Sequence, residues 1–326
     1  VSSFLWIVFG TIFAGAVHDF LAGMISLRHN GESLPETIGR YLGITAKQVM
    51  RCFTVILMIL VGVVFVAGPA DLLAMLTPEH LDSTFWIYVI FAYYILATMF
   101  PIDKIIGRIY PIFAVALIFM AIGILIILLV PSPDIPEITD GLSNKSTDPV
   151  NNPIFPMMFI SIACGAISGF HATQSPLMAR CMTDEKYGRP IFYGAMICEG
   201  IVAMIWATAA MTYFGGPAEL NAAAAEGKTP AVIVDMICNT WLGRFGAIIA
   251  IIGVVVCPIT SGDTAFRSLR LVIADALHYN QKPIRNRLIV AVPIFALAYF
   301  CNSMDFSTIW KYVGIGNQTL AVVTLW

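Results

Sequence analysis

Nine long apolar runs constrain this chain of 326 residues more than any other feature. Runs of this kind cross the roughly 30 Å hydrocarbon layer of a membrane as helices. They are residues 4–27, 52–76, 85–100, 109–130, 156–179, 191–214, 245–265, 288–301 and 306–326. The composition, 59% hydrophobic and 12% charged residues, differs from that of a soluble domain. The sequence predicts an all-α, polytopic protein of the lipid bilayer, with no cofactor and no nucleic-acid partner.

The basic residues are distributed unevenly between alternate loops. Fourteen of the 18 Lys and Arg residues lie in four of these loops, and cytoplasmic loops carry such an excess. The four loops are 28–51, 101–108, 180–190 and 267–287. We therefore expect the first run to begin outside and to end in the cytoplasm. The long loops 131–155 and 215–243 are then external, and they form short surface helices or a lid.

Two ionisable groups lie near the middle of the first run, His18 and Asp19. Ionisable residues at membrane depth mark a path or a relay for ions. Gly15, Gly23 and Ser26 are small residues on the same helical face as Asp19, so another helix can approach closely and bury the carboxylate. Asp19 is then either a structural partner within the bundle or an ion-coupling group, and His18 is a candidate for the second role.

Glu199 lies well inside the sixth run, toward its cytoplasmic end. A carboxylate that is withdrawn from water binds a proton more readily and exchanges it near neutral pH. Glu199 is therefore a candidate proton carrier. The structural alternative is an ion pair with Arg180 or Arg189 of the adjoining loop.

The seventh run contains CPITSGDTAFRS at residues 257–268. Its proline, glycine and hydroxyl residues predict unwound backbone, which survives at membrane depth only where protein or a water-filled cavity supplies hydrogen bonds. Thr260, Ser261 and Thr264 offer oxygen ligands of the kind that a sodium ion accepts, and Asp263 supplies a charge or a proton. We expect these four residues to take part in ion coupling.

The same stretch has a plain structural alternative. Pro258 then merely kinks a helix, and Asp263 pairs with Arg267 one turn later. We favour the functional interpretation.

The fifth run ends in GFHATQSPLMAR, residues 169–180, where polar side chains replace apolar ones. Gly165, Gly169 and Pro176 lower the helix propensity at this place, so we predict a discontinuous helix. A half-helix presents N–H groups and its positive dipole end to an anionic substrate. The alternative is interhelical hydrogen bonding with small-residue packing. The candidate substrate-binding residues are His171, Thr173, Gln174 and Ser175.

Asn317 and Gln318, in GIGNQTL, lie near the middle of the last run. Amides in such a position form hydrogen bonds between helices more often than they form a site. We therefore expect both side chains to hold helices together.

Four long stretches of the sequence are distinctive. They are AGAVHDFLAGMISLRHNGESLPETIGRYLG (14–43), SGFHATQSPLMAR (168–180), CPITSGDTAFRSLR (257–270) and NQTLAVVTLW (317–326). Together they resemble the carbon starvation protein A family of bacterial and archaeal transporters, over essentially the whole chain. The resemblance implies an ion-coupled carrier of the inner membrane, part of the stress response to scarce carbon. Its substrate is a small molecule, either a peptide or a carboxylate such as pyruvate.

The resemblance also implies a fold of two inverted five-helix repeats, the amino acid-polyamine-organocation type. Family members carry a broken helix upstream of the first run, so we expect this chain to be a fragment with a single transmembrane domain. Residues 1–130 then form the rest of the first repeat, and residues 156–326 form the second. On this count Ser261 and Thr264 lie in the eighth helix and are candidates for a sodium site. The coupling ion stays open between proton and sodium.

Two other functions have weaker support in the sequence. An intramembrane metalloprotease needs HExxH, which is absent, and TSGD at 260–263 lacks the first glycine of a GxGD pattern. A membrane sensor that shares the transporter fold is the third hypothesis. We predict a secondary transporter and not an enzyme.

Overall fold

A computed structural model of the chain describes residues 2–100, 110–130, 141–146, 148–226, 228 and 230–326. Helices account for all regular secondary structure in these residues, as the sequence predicts. The predicted cytoplasmic loop 101–108 and part of the predicted external loop 131–155 lie outside the described residues.

Eleven helices follow one another along the described part of the chain. They are α1 (Ser2–Arg28), α2 (Leu34–Leu76), α3 (Ser83–Met99), α4 (Tyr110–Leu129), α5 (in three pieces, Ile154–Met158, Phe159–Ser161 and Ala163–Ala166), α6 (His171–Ala179), α7 (Glu185–Tyr213), α8 (Pro217–Ala225), α9 (Pro230–Ala276), α10 (Ile284–Cys301) and α11 (Phe306–Leu325). Every predicted run coincides with helical structure.

Six of the described helices are long and apolar enough to cross a membrane: α1, α2, α4, α7, α10 and the Gly246–Ala276 part of α9. The chain is therefore a multi-pass membrane protein. The remaining three predicted runs correspond to α3, which has 17 residues, to the divided helices α5 and α6, and to α11. The predicted number of nine spans thus exceeds the six that length and composition support.

Aspartate side chains determine where two of the helices begin. Asp82 accepts a hydrogen bond from the main-chain N–H of Phe85 at 2.8 Å, at the start of α3. Asp305 accepts from the hydroxyl of Ser307 and from the main-chain N–H of Thr308, at the start of α11. These bonds hold the pKa of the Asp305 carboxyl below its ordinary value. Both side chains satisfy N–H groups that have no partner within the helix.

A glycine with positive φ breaks each of the two longest helices near its start. Gly43 has φ 88° in α2, and Gly243 has φ 66° in α9. A side chain would be strained at such angles, so glycine permits the sharp turn. In both helices a short segment precedes this turn, and the long apolar part follows it. Together with α8, the segment before Gly243 confirms the short helices predicted for loop 215–243.

The predicted interruption at residues 257–268 is wrong. Helix α9 continues through Pro258 to Ala276. Pro258 removes one main-chain hydrogen bond, and the tertiary packing of the following turns outweighs that loss. Phe266 is 3% exposed within the core, and Arg267 Nε donates to Asp263 at 2.9 Å.

Helix α9 contributes to two hydrophobic cores. The first core joins it to α2, α3, α10 and α11, with Met58, Tyr94 and Leu269 fully buried. The second joins it to α4 and α7, with Met120 and Ile251 buried. Because lipid is as apolar as these side chains, close packing rather than the hydrophobic effect holds such helices together.

Gly62 of α2 lets the Phe266 ring of α9 approach, since an added Cβ would lie 2.3 Å from that ring. We expect Gly62→Ala to push the helices apart and to lower the free energy of unfolding by about 1–3 kcal/mol. Gly68→Ala is the matched control in the same helix, because nothing lies within 4 Å of its added Cβ. Unfolding in detergent measures both variants, and equal stability of the two would contradict the close packing.

Candidate functional site

Residues 167–170 divide the fifth predicted run into α5 and α6. Ile167 has extended backbone, with φ −153° and ψ 112°, and α6 begins at His171. The prediction of a discontinuous helix is therefore confirmed. The first N–H groups of α6 are nevertheless engaged, because those of residues 171–173 donate to the carbonyls of residues 168–170. The predicted presentation of free N–H groups to a substrate is thus wrong.

Asn317 of α11 holds the break in place. Its Oδ1 accepts from the main-chain N–H of Phe170 at 2.7 Å, and its Nδ2 donates to Ser168 Oγ at 3.1 Å. Gly169 allows this approach, since an added Cβ would lie 2.0 Å from the main-chain oxygen of Asn317. Gln318 donates to the main-chain oxygen of Phe159 at 3.1 Å. Both amides join helices, as predicted.

Four ionisable side chains form a continuous chain beside the break. Asp19 lies between two imidazoles, 2.8 Å from Nδ1 of His18 and 2.8 Å from Nδ1 of His171. The other ring nitrogen of His171 lies 3.5 Å from Oε2 of Glu199 in α7. The sequence predicts three of these residues for ion coupling and His171 for substrate binding. Only the structure shows that these four side chains lie next to one another.

This chain of ionisable groups runs from the protein interior to a partly exposed end. The side chain of His18 is 0% exposed and that of Asp19 is 8% exposed, whereas His171 is 20% and Glu199 is 40% exposed. Among the described residues, Nε2 of His18 has no hydrogen-bond partner. When Nδ1 of His18 donates to Asp19, Nε2 carries a free lone pair.

Small residues bring α1, α5 and α7 together at this place. An added Cβ at Gly15 would lie 2.3 Å from the main-chain oxygen of Ala166, and one at Gly200 would lie 2.7 Å from Oγ1 of Thr11. The π-helical turn Thr11–Gly15 lies just before His18 and Asp19, and such turns are frequent at functional sites. The close approach predicted for the small-residue face of the first run is confirmed.

The structural alternative for Glu199 is wrong. Its ion-pair partner is His171, whereas Arg180 donates from Nε to the main-chain oxygen of Gly31 at 2.9 Å. Glu199 therefore belongs to the ionisable chain and not to the charged loop.

The four predicted substrate-binding residues do not share one face of α6. Thr173 and Ser175 are buried, and their hydroxyl groups donate to main-chain carbonyls at 2.6 and 2.9 Å. His171, Gln174 and Met178 are the residues of α6 that stay partly exposed, and their spacing puts them on one face. The structure thus makes two of the four, His171 and Gln174, accessible to a substrate.

The predicted ion-coupling residues of α9 lie in regular helix. Thr260 and Thr264 donate their hydroxyl hydrogens to carbonyls of the preceding turn, at 2.8 and 2.9 Å. Asp263 and Arg267 form an ion pair with side chains only 2% and 3% exposed, which confirms the pairing that the structural alternative predicts. Sodium binding at Ser261 and Thr264 stays a prediction, without the unwound backbone that motivated it.

Gln174 connects α6 to this part of α9. Its Nε2 lies 3.5 Å from the main-chain oxygen of Ser261. Thr260, Ser261 and Thr264 are partly exposed, and their spacing puts them on one side of α9. The accessible faces of the two helices therefore meet at Gln174.

Three arginines cover the C-terminal end of α3, a feature that the sequence does not reveal. Arg267, Arg270 and Arg287 donate to main-chain oxygens there. The acceptors are Ala97, Thr98, Met99 and Phe100. The last carbonyls of a helix lack partners and carry the negative end of its dipole, so cations stabilise them. From the sequence, these arginines are simply part of the basic loop 267–287.

Comparison with known proteins identifies related sequences. The family described as "Carbon starvation protein CstA" matches residues 1–78 and 66–243. A Haemophilus influenzae protein named "Uncharacterized membrane protein" is 39% identical over 271 residues, covering 68% of this chain and 73% of that protein. The Peptide transporter CstA of Bacillus subtilis is 26% identical over 434 residues, covering 98% of this chain and 70% of that protein.

A third relative has a different name. The Pyruvate/proton symporter BtsT of Escherichia coli is 28% identical over 275 residues, covering 63% of this chain and 37% of that protein. The chain thus spans between about a third and three quarters of the length of these three relatives.

Removal of the Asn317 amide tests its role at the break. Asn317→Ala leaves the N–H of Phe170 and the hydroxyl of Ser168 without this partner, so we expect the free energy of unfolding to fall by about 1–3 kcal/mol. Thr319→Ala, an exposed position on the same helix whose hydroxyl bonds within α11, should change it little. Unfolding in detergent measures both, and a stable Asn317→Ala protein would contradict the proposed support of the break.

Proposed function

The chain belongs to the carbon starvation protein CstA family, and from this premise we propose that it is part of an ion-coupled secondary transporter. Its substrates are peptides or small carboxylates such as pyruvate, imported across the inner membrane. The names of two relatives, a peptide transporter and a pyruvate/proton symporter, support this assignment. Both names describe transporters rather than enzymes, in agreement with the prediction from the sequence.

The chain of ionisable groups from Glu199 to His18 carries the proposal. Ionisable residues at membrane depth cost free energy and are found where ions or protons move. Here Asp19 is within hydrogen-bond distance of both imidazoles, Glu199 lies at ion-pair distance from His171, and the four side chains differ steadily in exposure. Protonation at the accessible end is thus coupled to the charge of Asp19 in the interior.

Proton coupling accounts for this arrangement better than sodium coupling. The carboxylates and imidazoles bind and release protons. The hydroxyl groups of Thr260 and Thr264, by contrast, already donate to carbonyls of their own helix. We therefore assign coupling to His18, Asp19, His171 and Glu199, and we keep the sodium site at Ser261 and Thr264 as the alternative.

His171 is placed to join proton binding to substrate binding. When it is protonated between Asp19 and Glu199, its charge attracts an anionic group at the accessible face of α6. The positive end of the α6 dipole adds to that attraction. Gln174, one turn further along the same face, supplies an amide for hydrogen bonds to a carboxylate or peptide group.

We also propose the fold of two inverted repeats, because helices of similar length recur in the same order. Helices α1 to α4 have 27, 43, 17 and 20 residues, and α7, α9, α10 and α11 have 29, 47, 18 and 20. In each set the second helix turns at a glycine of positive φ. The alternation of basic loops makes the two sets start on opposite sides of the membrane.

This correspondence supports a domain division with residues 1–130 in the first repeat and 156–326 in the second. The broken helix α5–α6 precedes the second set and has no counterpart among the described residues. The same proposal includes nine spans and a first segment that begins outside. The cytoplasmic loops are then 28–51, 101–108, 180–190 and 267–287.

Uptake by vesicles that carry the full-length protein tests the function. We expect labelled pyruvate or a labelled dipeptide to accumulate when an inward proton gradient is imposed, and accumulation to stop when an uncoupler removes it. Accumulation with a sodium gradient alone would favour the site at Ser261 and Thr264. Absence of uptake of either substrate with both gradients would contradict a transport function.

Replacement of single carboxylates tests proton coupling. Asp19→Asn and Glu199→Gln keep the size of the side chain but remove the titratable group. We expect gradient-driven uptake to fall to background in each, whereas exchange of labelled for unlabelled substrate at equal pH continues. Glu185→Gln is the control, because this exposed carboxylate pairs with Arg28 outside the chain of ionisable groups. Normal gradient-driven uptake by Asp19→Asn would contradict proton transfer through Asp19.

Replacement of polar residues on α6 tests substrate binding. We expect Gln174→Ala to raise the KM for uptake and for exchange alike, because it removes an accessible hydrogen-bonding group. His171→Ala should abolish both, since the same side chain serves proton and substrate. Gln48→Ala, which removes an exposed amide of α2, is the control. An unchanged KM in Gln174→Ala would remove this residue from the site.

A further inference from the structure

A basic cavity of about 440 Å³ lies between the ends of α3, α6 and α9 and the start of α10. Its volume falls within the range of sites that hold small molecules. Its charged lining residues are Arg180, Arg267, Arg270, Asp275, Lys282 and Arg287. The loop charges place this cavity on the cytoplasmic side.

Positive charge exceeds negative charge around this cavity. Five cations line it, and Asp275 is the one carboxylate among its described lining residues. Asp263 forms an ion pair with Arg267 and thereby neutralises its charge. Arg270 is only 7% exposed and donates to a main-chain carbonyl, Thr98 O, at 3.4 Å. A carbonyl carries only a partial charge, so the buried guanidinium retains a net attraction for an anion.

Helix α6 connects the cavity to the ionisable chain. His171 begins this helix of 9 residues and Arg180 directly follows it, so the two positions lie roughly 14 Å apart along its axis. The partly exposed face of His171, Gln174 and Met178 runs between them. The hydroxyl of Ser268 contacts the main-chain oxygen of Thr173 and thereby fastens α6 to α9 along this distance.

We propose that this cavity is the cytoplasmic release site, where Arg270, Lys282 and Arg287 bind the carboxylate of the transported substrate before it leaves. The assignment rests on the proposed transport function for the direction of movement, and on the cavity's own charge for the chemistry of the ligand. Guanidinium groups bind carboxylates through paired, charge-assisted hydrogen bonds. An anion that leaves a protonated His171 thus moves along α6 toward a second positive region.

The partly exposed position of the release site makes its affinity low and dependent on salt. Such a site serves release, because a tightly held product would slow each transport cycle. A free carboxylate and the headgroup of an anionic lipid share the required charge, so the test separates these two sources.

The test measures equilibrium binding of labelled pyruvate to the purified full-length protein in phosphatidylcholine nanodiscs. The His171→Ala variant serves as the background, so that binding at the ionisable chain does not mask the cavity. In this background we compare Lys282→Gln and Arg287→Gln with Arg285→Gln. Arg285 is an exposed cation at the start of α10 that does not line the cavity, and its replacement removes the same charge.

We expect Lys282→Gln to weaken pyruvate binding roughly threefold and Arg287→Gln to weaken it about tenfold, with little effect of Arg285→Gln. Arg287 also donates to the main-chain oxygens of Met99 and Gln281, so Arg287→Lys shows whether lost charge or lost structure causes its effect. Lys282 is exposed, and its variant keeps the test valid if Arg287→Gln does not fold.

Equal binding in Lys282→Gln and the background protein, or equal weakening by Arg285→Gln, would overturn the proposal. Loss of pyruvate binding when phosphatidylglycerol replaces phosphatidylcholine would assign the cavity to a lipid headgroup and overturn its role in release. Failure of the transport proposal gives a different result. In that case vesicles show no uptake, while Lys282→Gln still weakens pyruvate binding.

Discussion

The carboxylate of Asp19 is the group around which the polar interior of this protein is organised. An ion at membrane depth needs partners that replace water, and Asp19 has two imidazoles at 2.8 Å. One of them, His171, begins α6, so the break before this helix has to lie beside α1. Gly15 and Gly169 permit the close backbone approach, and the amide of Asn317 satisfies the N–H that the break exposes.

The proposed coupling of proton and substrate binding depends on the position of His171. His171 contacts both carboxylates and lies on the accessible face of α6, so a change in its charge alters the attraction for an anion at that face. At the other end of α6, arginines that hold the carbonyls of α3 also line a basic cavity. A short helix thus has a titratable group at one end and permanent positive charge at the other.

Individual residues show why sequence patterns predicted some of these features and not others. GFHATQSP combines glycine with polar side chains in an apolar run, and the helix breaks just before His171. CPITSGDT likewise combines proline and glycine with polar side chains, yet α9 passes through it unbroken. Gly62 and Gly262 let aromatic rings pack closely, and Asp263 pairs within its own helix. Local propensity is similar in both stretches, and the surrounding helices decide the outcome.

The sequence by itself determined the class of protein, the positions of the apolar helices and the identity of each polar residue that the membrane must accommodate. Those properties depend on composition and on the length needed to cross a bilayer, which are local. Tertiary structure decided which polar residues meet. His18, Asp19, His171 and Glu199 come from three helices up to 181 positions apart in the chain, and only helix packing sets the distances between them. A proton path depends on those distances, because a proton passes only between groups within hydrogen-bond reach.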